Sequence, residues 1–230
     1  MSDGAVRRLV ILDLNGLLIH RIHERDTADL DRDFLESATY YRPFYIWKRP
    51  HVDEFLNFLF QHFTVAVWTS AQKRNAENMI PLLLGNQSPP FLFVWDQSKC
   101  NADTLSEEQW AEELTKPPRK RRRRKRWLFT KPLAKVWEAF PEYNATNTLL
   151  IDDSVEKTIE NPPGLFYCPP SWFPTTLPDL QNDYALKCSL TTAGNMDIII
   201  RDTRNIYQWL KGLSAWSGNV ASYVFQQSIK

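Results

Sequence analysis

Four short apolar runs in this chain are each followed by polar residues, and segments with helical spacing of apolar residues separate the runs. They lie at residues 8–14, 64–68, 91–95 and 148–151. Continuous runs of this kind, rich in β-branched and aromatic residues, are typical of strands buried on both faces of a sheet. Strands that alternate with helices predict an α/β fold with a mainly parallel central sheet flanked by helices.

Helices are predicted where apolar residues recur every three or four positions. These segments are residues 52–60, 75–84, 106–114, 131–140 and 196–213. The last is a long amphipathic helix. Residues 20–46 show no clear period, so we expect a long loop or a small flap there, and a fifth short strand near residues 165–168. The chain length fits one such domain over residues 1–230.

The nearly balanced total charge of the chain includes one strongly basic segment. The sequence has 28 basic and 27 acidic residues, and eight of the basic ones are consecutive at residues 119–126. Without them 20 basic residues face 27 acidic ones, a net charge of −7. Such a run indicates a nuclear-import signal, a nucleic-acid contact, a solvated insertion or a patch that steers acidic substrates. Nucleic acid is the less favoured partner, because the run contains no aromatic residue for base stacking.

Cysteine usage and hydropathy exclude several classes of protein. The three cysteines form no Cys-x-x-Cys pair, which argues against a disulfide framework and a structural zinc site and favours a reducing compartment. The first apolar run is too short for a signal peptide, and no stretch of 18 apolar residues could span a bilayer. We therefore expect no membrane association.

Polar residues follow three of the predicted strands. They are Asp13, the pair Thr69-Ser70 and the pair Asp152-Asp153, while Lys131 opens the helix before the last of these strands. Singly, each has an ordinary explanation as a turn former, a helix cap or a solvated lysine. Carboxyl ends of parallel strands meet at one edge of a sheet, where ligands bind. Together these oxygens suit Mg²⁺, and the lysine and hydroxyls suit phosphate, which predicts phosphoryl transfer to a carboxylate.

At these residues the sequence resembles the haloacid dehalogenase superfamily, in particular its RNA polymerase carboxy-terminal-domain (CTD) phosphatase branch. The resemblance rests on four motifs and on the segment Lys-Arg-Pro-His-Val-Asp-Glu-Phe-Leu at 48–56; the motifs begin at Asp13, Val67, Lys131 and Leu150. The stretch from Lys131 to Asp153 is also similar to the core of the ubiquitin-like-domain-containing member, and we expect no ubiquitin-like domain before it.

The resemblance implies a Rossmann-like fold with a small flap after Gly16 and a cap insertion at about 97–130. It also implies catalytic roles for Asp13, the nucleophile, and for Asn15 and Lys131. The implied phosphate ligands are Thr69, Ser70 and Lys131. The implied Mg²⁺ ligands are Asp13, the Asn15 main-chain carbonyl, Asp152 and Asp153. The substrate would be a phosphoserine or phosphothreonine protein, with the RNA polymerase II tail as one candidate, and the location nuclear or nucleocytoplasmic. A mitochondrial-import relative of this fold is disfavoured, because no transit peptide or anchor is evident.

Asn15 departs from the family pattern, which has an aspartate two residues after the nucleophile as acid and base. An amide has no titratable proton and cannot fill that role. Three hypotheses follow: a slow phosphatase, a pseudophosphatase that binds a phosphorylated ligand or scaffolds a complex, or a phosphatase in which another residue such as His20 supplies the proton. Leu17 replaces the usual threonine or valine, and we expect it to pack.

Overall fold

The computed structural model describes residues 6–84, 90–104, 127–167, 174–181 and 206–228. Its strands are β1 (Leu9–Leu12), β2 (Ile19–His23), β3 (Thr39–Tyr41), β4 (Phe44–Lys48), β5 (Thr64–Trp68), β6 (Val94–Trp95), β7 (Asn101–Thr104), β8 (Trp127–Thr130), β9 (Thr148–Ile151) and β10 (Phe166–Tyr167). Its α-helices are α1 (Arg32–Glu36), α2 (Val52–His62), α3 (Lys73–Leu84), α4 (Ala134–Ala139), α5 (Leu177–Gln181), α6 (Ile206–Ala215) and α7 (Val220–Ser228).

The central sheet has five strands in the order β10-β9-β1-β5-β6, and every pair in it is parallel. The predicted α/β fold is therefore confirmed. Strand β1 lies in the middle, where Leu12 pairs with Val67 on one side and with Ile151 on the other. This register brings the residues that follow β1, β5 and β9 to one edge of the sheet.

Both faces of the sheet are covered, as the continuous apolar runs predicted. Val10 and Leu12 pack on one face with residues of α2 and α6, whereas Leu9 and Ile11 pack on the other with residues of α4. All four side chains are fully buried. Because alternate residues of a strand point to opposite faces, a buried four-residue strand of this kind anchors two cores at once.

The segment predicted to be a long loop or small flap forms a three-stranded antiparallel sheet in the order β2-β4-β3. Its interior is aromatic: Trp47 stacks on Phe34 with 4.4 Å between ring centroids, and its Nε1 donates to the Phe34 carbonyl at 3.1 Å. The strands are three to five residues long. Strands this short give little alternation, which explains why the sequence showed no period.

Several predicted elements differ in extent from those observed. The predicted strand at 91–95 is reduced to β6. The predicted helix at 131–140 is reduced to α4, because the Lys131 carbonyl accepts from Asn161 Nδ2 at 2.9 Å and the Lys135 N–H donates to the Pro132 carbonyl instead. Helix α6 ends at Ala215, two residues beyond the predicted end, and its predicted start at 196 lies outside the described residues. Helix α7 was not predicted.

Strands β7 and β8 pair antiparallel. In the sequence they flank residues 105–126, which belong to the predicted insertion at 97–130. The predicted helix at 106–114 and the basic run at 119–126 therefore lie outside the described residues. Lys131 follows β8 directly. In the part of the chain that the structure describes, none of the helices has the length and apolar character needed to cross a bilayer.

Candidate active site

The edge of the sheet after β1 and β9 carries a buried cluster of charges. Asp13 follows β1 and donates its N–H to the Ile151 carbonyl at 2.9 Å, which fixes it beside the end of β9. Asp152 and Asp153 follow β9 directly. Asp13 and Asp152 are almost fully buried. The structure thus brings together three of the carboxylates that the sequence placed in the site.

Lys131 reaches this cluster from the end of β8. Its fully buried ammonium lies 2.9 Å from Asp13 Oδ1 and 2.5 Å from Asp152 Oδ2. The main chain at this position is held from both sides, because the Lys131 N–H donates to the Lys157 carbonyl at 2.8 Å and Asn161 Nδ2 donates to the Lys131 carbonyl at 2.9 Å. The predicted juxtaposition of this lysine with the strand ends is present in the structure.

Lys157 is a second buried lysine in the cluster, and the sequence analysis missed it. It lies in a short 3-10 helix, Val155–Thr158, and its Nζ is 2.9 Å from Asp13 Oδ2 and 2.9 Å from Asp152 Oδ1. The same atom lies 3.4 Å from Asp153 Oδ1. The signal that could have revealed it is its position four residues after Asp153, the spacing at which opposite charges meet along a helical turn.

The two ammonium groups set the charge states of the carboxylates. Burial alone would raise the pKa of Asp13, but Lys131 and Lys157 outweigh it and hold that pKa well below its usual value. Burial, reinforced by Asp13, raises the pKa of Asp152. Burial acts to lower the pKa of Lys157, yet the three aspartates raise it well above its usual value. The two ammonium groups therefore favour the ionised form of the Asp13 carboxylate, the form that a nucleophile requires.

The hydroxyls predicted to bind phosphate lie after β5, the strand beside β1. Thr69 is buried, and its Oγ1 accepts a hydrogen bond from the Ala71 N–H at 3.2 Å, so it shapes the turn before α3. Ser70 is half-buried next to it. Both residues lie at the predicted edge, and their role as phosphate ligands stays a prediction.

Asn15 lies in a tight turn that begins after Asp13. The turn requires Gly16 at a φ of 87°, where its N–H donates to the Ile19 carbonyl at 2.8 Å. Asn15 Oδ1 is buried and accepts no hydrogen bond from the residues that the structure describes. Leu17 is fully buried, in accord with its expected packing role, and its carbonyl accepts from Arg49 of the Lys-Arg-Pro-His segment at 3.0 Å.

His20, the alternative proton donor, lies in the flap and stacks on Trp47 with 5.5 Å between ring centroids. Burial lowers the pKa of His20 to about 4. The imidazole is therefore neutral at pH 7. Its role as the general acid stays a prediction.

The acidic side chains match the donor preference of a hard cation. One oxygen from each of Asp13, Asp152 and Asp153 lies within 4.8 Å of the others. Mg²⁺ takes oxygen ligands and is commonly held by one or two carboxylates together with phosphate oxygens. By donor type these residues fit the cation that the resemblance implies, although Lys157 contacts the same three carboxylates.

Residues 8–196 match the family model of NLI interacting factor-like phosphatases. The chain belongs to this family. Membership confirms the predicted resemblance to the CTD phosphatase branch of the haloacid dehalogenase superfamily. The match begins before β1 and extends beyond β10, so it includes every strand and every site residue described above.

Several known proteins are similar to this NLI interacting factor-like phosphatase. Putative CTD phosphatase-like protein 355R of Invertebrate iridescent virus 6 is 26% identical over 172 residues, 71% of this chain and 86% of the viral protein. Ubiquitin-like domain-containing CTD phosphatase 1 of Drosophila melanogaster is 22% identical over 116 residues, 50% of this chain and 31% of the fly protein. This chain thus spans most of the viral relative and less than a third of the fly protein.

A solved structure is also similar to the chain. It is a variant of the fission yeast RNA polymerase II CTD phosphatase Fcp1 bound to beryllium fluoride, with a TM-score of 0.47 and 16% identity. The similarity covers 72% of this chain and 42% of the yeast chain.

Loss of Lys131 is expected to destabilise this NLI interacting factor-like phosphatase strongly. Lys131→Met removes one of the two ammonium groups shared by Asp13 and Asp152, and breaking a buried ion pair from one side costs roughly 3–5 kcal/mol. Urea denaturation gives the free energy of unfolding. The matched control is Lys135→Met, because among the described residues Lys135 Nζ donates only to the Lys99 carbonyl, at the surface, and its loss should cost under about 0.5 kcal/mol. Equal, small losses in both variants would contradict the ion-pair assignment.

Proposed function

We propose that this chain is a Mg²⁺-dependent phosphoserine/phosphothreonine protein phosphatase that works through an aspartyl phosphate on Asp13. The observation that carries the proposal is the buried Asp13 carboxylate, ionised and contacted by two ammonium groups at the carboxyl edge of the sheet. Membership of the NLI interacting factor-like phosphatases supports hydrolysis of a phosphate ester as the reaction class.

The proposed first step is attack by an Asp13 oxygen on phosphorus. The new bond joins that oxygen to phosphorus, the bond between phosphorus and the serine or threonine oxygen breaks, and the alkoxide takes a proton from water. Water then attacks the aspartyl phosphate, which releases inorganic phosphate and returns the Asp13 carboxylate. Lys131 neutralises phosphoryl oxygens during both steps, and Thr69 and Ser70 donate hydroxyl hydrogen bonds to them.

A bound Mg²⁺ would be held by Asp13, the Asn15 carbonyl, Asp152 and Asp153, and would supply further charge neutralisation at the phosphoryl group. The carboxylate cluster and the usual Mg²⁺ dependence of this phosphatase branch support that ligand set. Asp152 also accepts from the Ser154 N–H at 2.9 Å, a contact that orients its carboxylate.

Asn15 makes the proposed enzyme slow. Its amide orients a group by hydrogen bonding but neither protonates the departing alkoxide nor deprotonates the attacking water. Loss of general acid–base catalysis costs typically 10²–10⁴-fold in rate. The same residue supports the second candidate, a pseudophosphatase that binds a phosphorylated protein at Asp13 and Lys131 without turnover.

The proposed substrate is a phosphorylated protein segment, and the phosphorylated tail of RNA polymerase II is the first candidate. The names of the fly and viral relatives support it, since they describe a CTD phosphatase and a CTD phosphatase-like protein. The basic run at 119–126 supports a nuclear location and attraction of an acidic phosphopeptide. We infer no nucleic-acid partner.

Phosphate release from a phosphoserine peptide tests the proposal. The protein should release phosphate slowly in Mg²⁺, and chelation of the metal by EDTA should stop the release. A peptide that binds without any phosphate release in Mg²⁺ would favour the pseudophosphatase. If the protein neither binds the peptide nor releases phosphate from it, both candidates are contradicted.

A further inference from the structure

The Lys157 ammonium lies where the three carboxylates of the cluster converge. Its Nζ contacts Asp13 and Asp152 at 2.9 Å each and Asp153 at 3.4 Å. Lys131 differs in this respect, because it contacts two of these carboxylates, Asp13 and Asp152, through their other oxygens. Of these two lysines, only Lys157 contacts all three carboxylates that the proposed metal would use.

A metal ion and this ammonium compete for the same oxygens. Mg²⁺ binds its oxygen ligands at about 2.0–2.1 Å in near-ideal octahedral geometry, which leaves no place for a second cation among them. The Asp13 Oδ2 and Asp152 Oδ1 atoms that hold Lys157 would have to release it to bind the metal. Mg²⁺ bound to these two oxygens would therefore take the place of the Lys157 ammonium.

The structure allows the side chain of Lys157 to leave while its main chain stays. The Lys157 carbonyl accepts from the Lys131 N–H at 2.8 Å, and its N–H donates to the Ser154 carbonyl at 3.1 Å. The side chain keeps 10% of its surface exposed, whereas that of Lys131 keeps none. A long flexible stem with an exposed side can carry the ammonium out to water.

We propose that Lys157 competes with Mg²⁺ for the three carboxylates. Its ammonium occupies the position of the metal in the metal-free protein and must move away from the carboxylates before the ion binds. The inference rests on the metal site of the proposed function and adds to it a weak Mg²⁺ affinity set by this chain's own lysine. Lys157 is thus a positioning residue that keeps the three carboxylates together in the absence of metal.

Calorimetric titration with MgCl₂ alone tests the proposal without any substrate. Lys157→Met should bind Mg²⁺ about tenfold or more tightly than the wild type, since the ion no longer displaces charge-assisted hydrogen bonds. Lys131→Met is the matched control, because it removes an equal charge from the cluster but no contact to Asp153. Its gain in affinity should be clearly smaller. Equal affinities in Lys157→Met and the wild type, or equal gains in the two variants, would overturn the proposal.

Lysine footprinting of the wild type gives a second readout that needs no folded variant. Reductive methylation followed by peptide mass spectrometry should find Lys157 protected without metal and modified at saturating Mg²⁺, while Lys131 stays protected throughout. Bound Mg²⁺ with Lys157 still protected would overturn the inference and leave the proposed metal site intact. If neither the wild type nor Lys157→Met binds Mg²⁺, both the inference and the metal site are overturned. The assay of phosphate release then still tests the role of Asp13 as nucleophile.

Discussion

Replacing Asp13 with asparagine is expected to abolish phosphate release, with a loss of roughly 10⁴-fold or more in kcat. An amide is not a nucleophile towards phosphorus under these conditions, so no aspartyl phosphate forms. The loss should be in kcat and not only in KM, because the Asp13 oxygen forms its bond to phosphorus in the transition state. Steady-state hydrolysis of an aryl phosphate and of a phosphoserine peptide measures both constants.

The control for this variant is Asp96→Asn, the same chemical change after β6, the outer strand of the same sheet. Among the described residues, Asp96 Oδ1 accepts only from the Ser98 N–H at 2.7 Å, and asparagine can accept the same hydrogen bond. Its activity should stay close to that of the wild type. Because Asp13 also holds two buried ammonium groups, both variants need assay below their unfolding temperatures. An Asp13→Asn protein that is folded and retains turnover would contradict the nucleophile assignment.

Replacing Asn15 with aspartate is expected to raise kcat by about 10²–10⁴-fold. The new carboxyl group would stand two residues after the nucleophile, where its acid form can protonate the departing alkoxide and its carboxylate can then activate water. The buried Asn15 Oδ1 shows that the side chain points into the protein and not into bulk solvent. The gain should be larger for a phosphoserine peptide than for an aryl phosphate, because an alkoxide needs the proton more than a phenolate does.

The control is Asn57→Asp, which adds the same charge on the exposed side of α2. It should leave kcat unchanged. A silent wild type with an active Asn15→Asp variant would identify the native chain as a pseudophosphatase. An active wild type that Asn15→Asp does not accelerate would mean that Asn15 does not limit the reaction.

The central sheet was predictable from the sequence because its strands are buried on both faces. Runs such as Leu9–Leu12 and Thr148–Ile151 are mostly apolar, so their type was visible. The first run was predicted at 8–14, whereas β1 ends at Leu12, directly before Asp13. The flap was less predictable. Its strands owe their stability to aromatic contacts such as that of Trp47 with Phe34, which join residues 13 positions apart in the chain and leave no local period.

The site was predictable as far as strand ends define it. Asp13, Asp152 and Asp153 follow buried strands, and parallel pairing alone brings them together. Lys131 was predicted from its place at the start of the helix expected before β9, and the resemblance gave its role; in the structure it reaches the site from the end of β8. Lys157 was missed because it lies in a short 3-10 helix whose sequence shows no apolar face, and because a lysine among charged residues is usually a solvated side chain. Its burial depends on carboxylates from two strands, which local sequence does not reveal.

The most direct test of the central claim is the mass of the intact protein, quenched in acid during turnover of an aryl phosphate. Asn15 should slow hydrolysis of the intermediate, so the wild type should carry one phosphoryl group, located on Asp13 by peptide fragmentation and absent from Asp13→Asn. Two results would contradict the account. One is phosphate release by a wild-type protein that stays unmodified, together with equal activity of the Asp13→Asn variant. The other is a phosphoryl group on any residue other than Asp13.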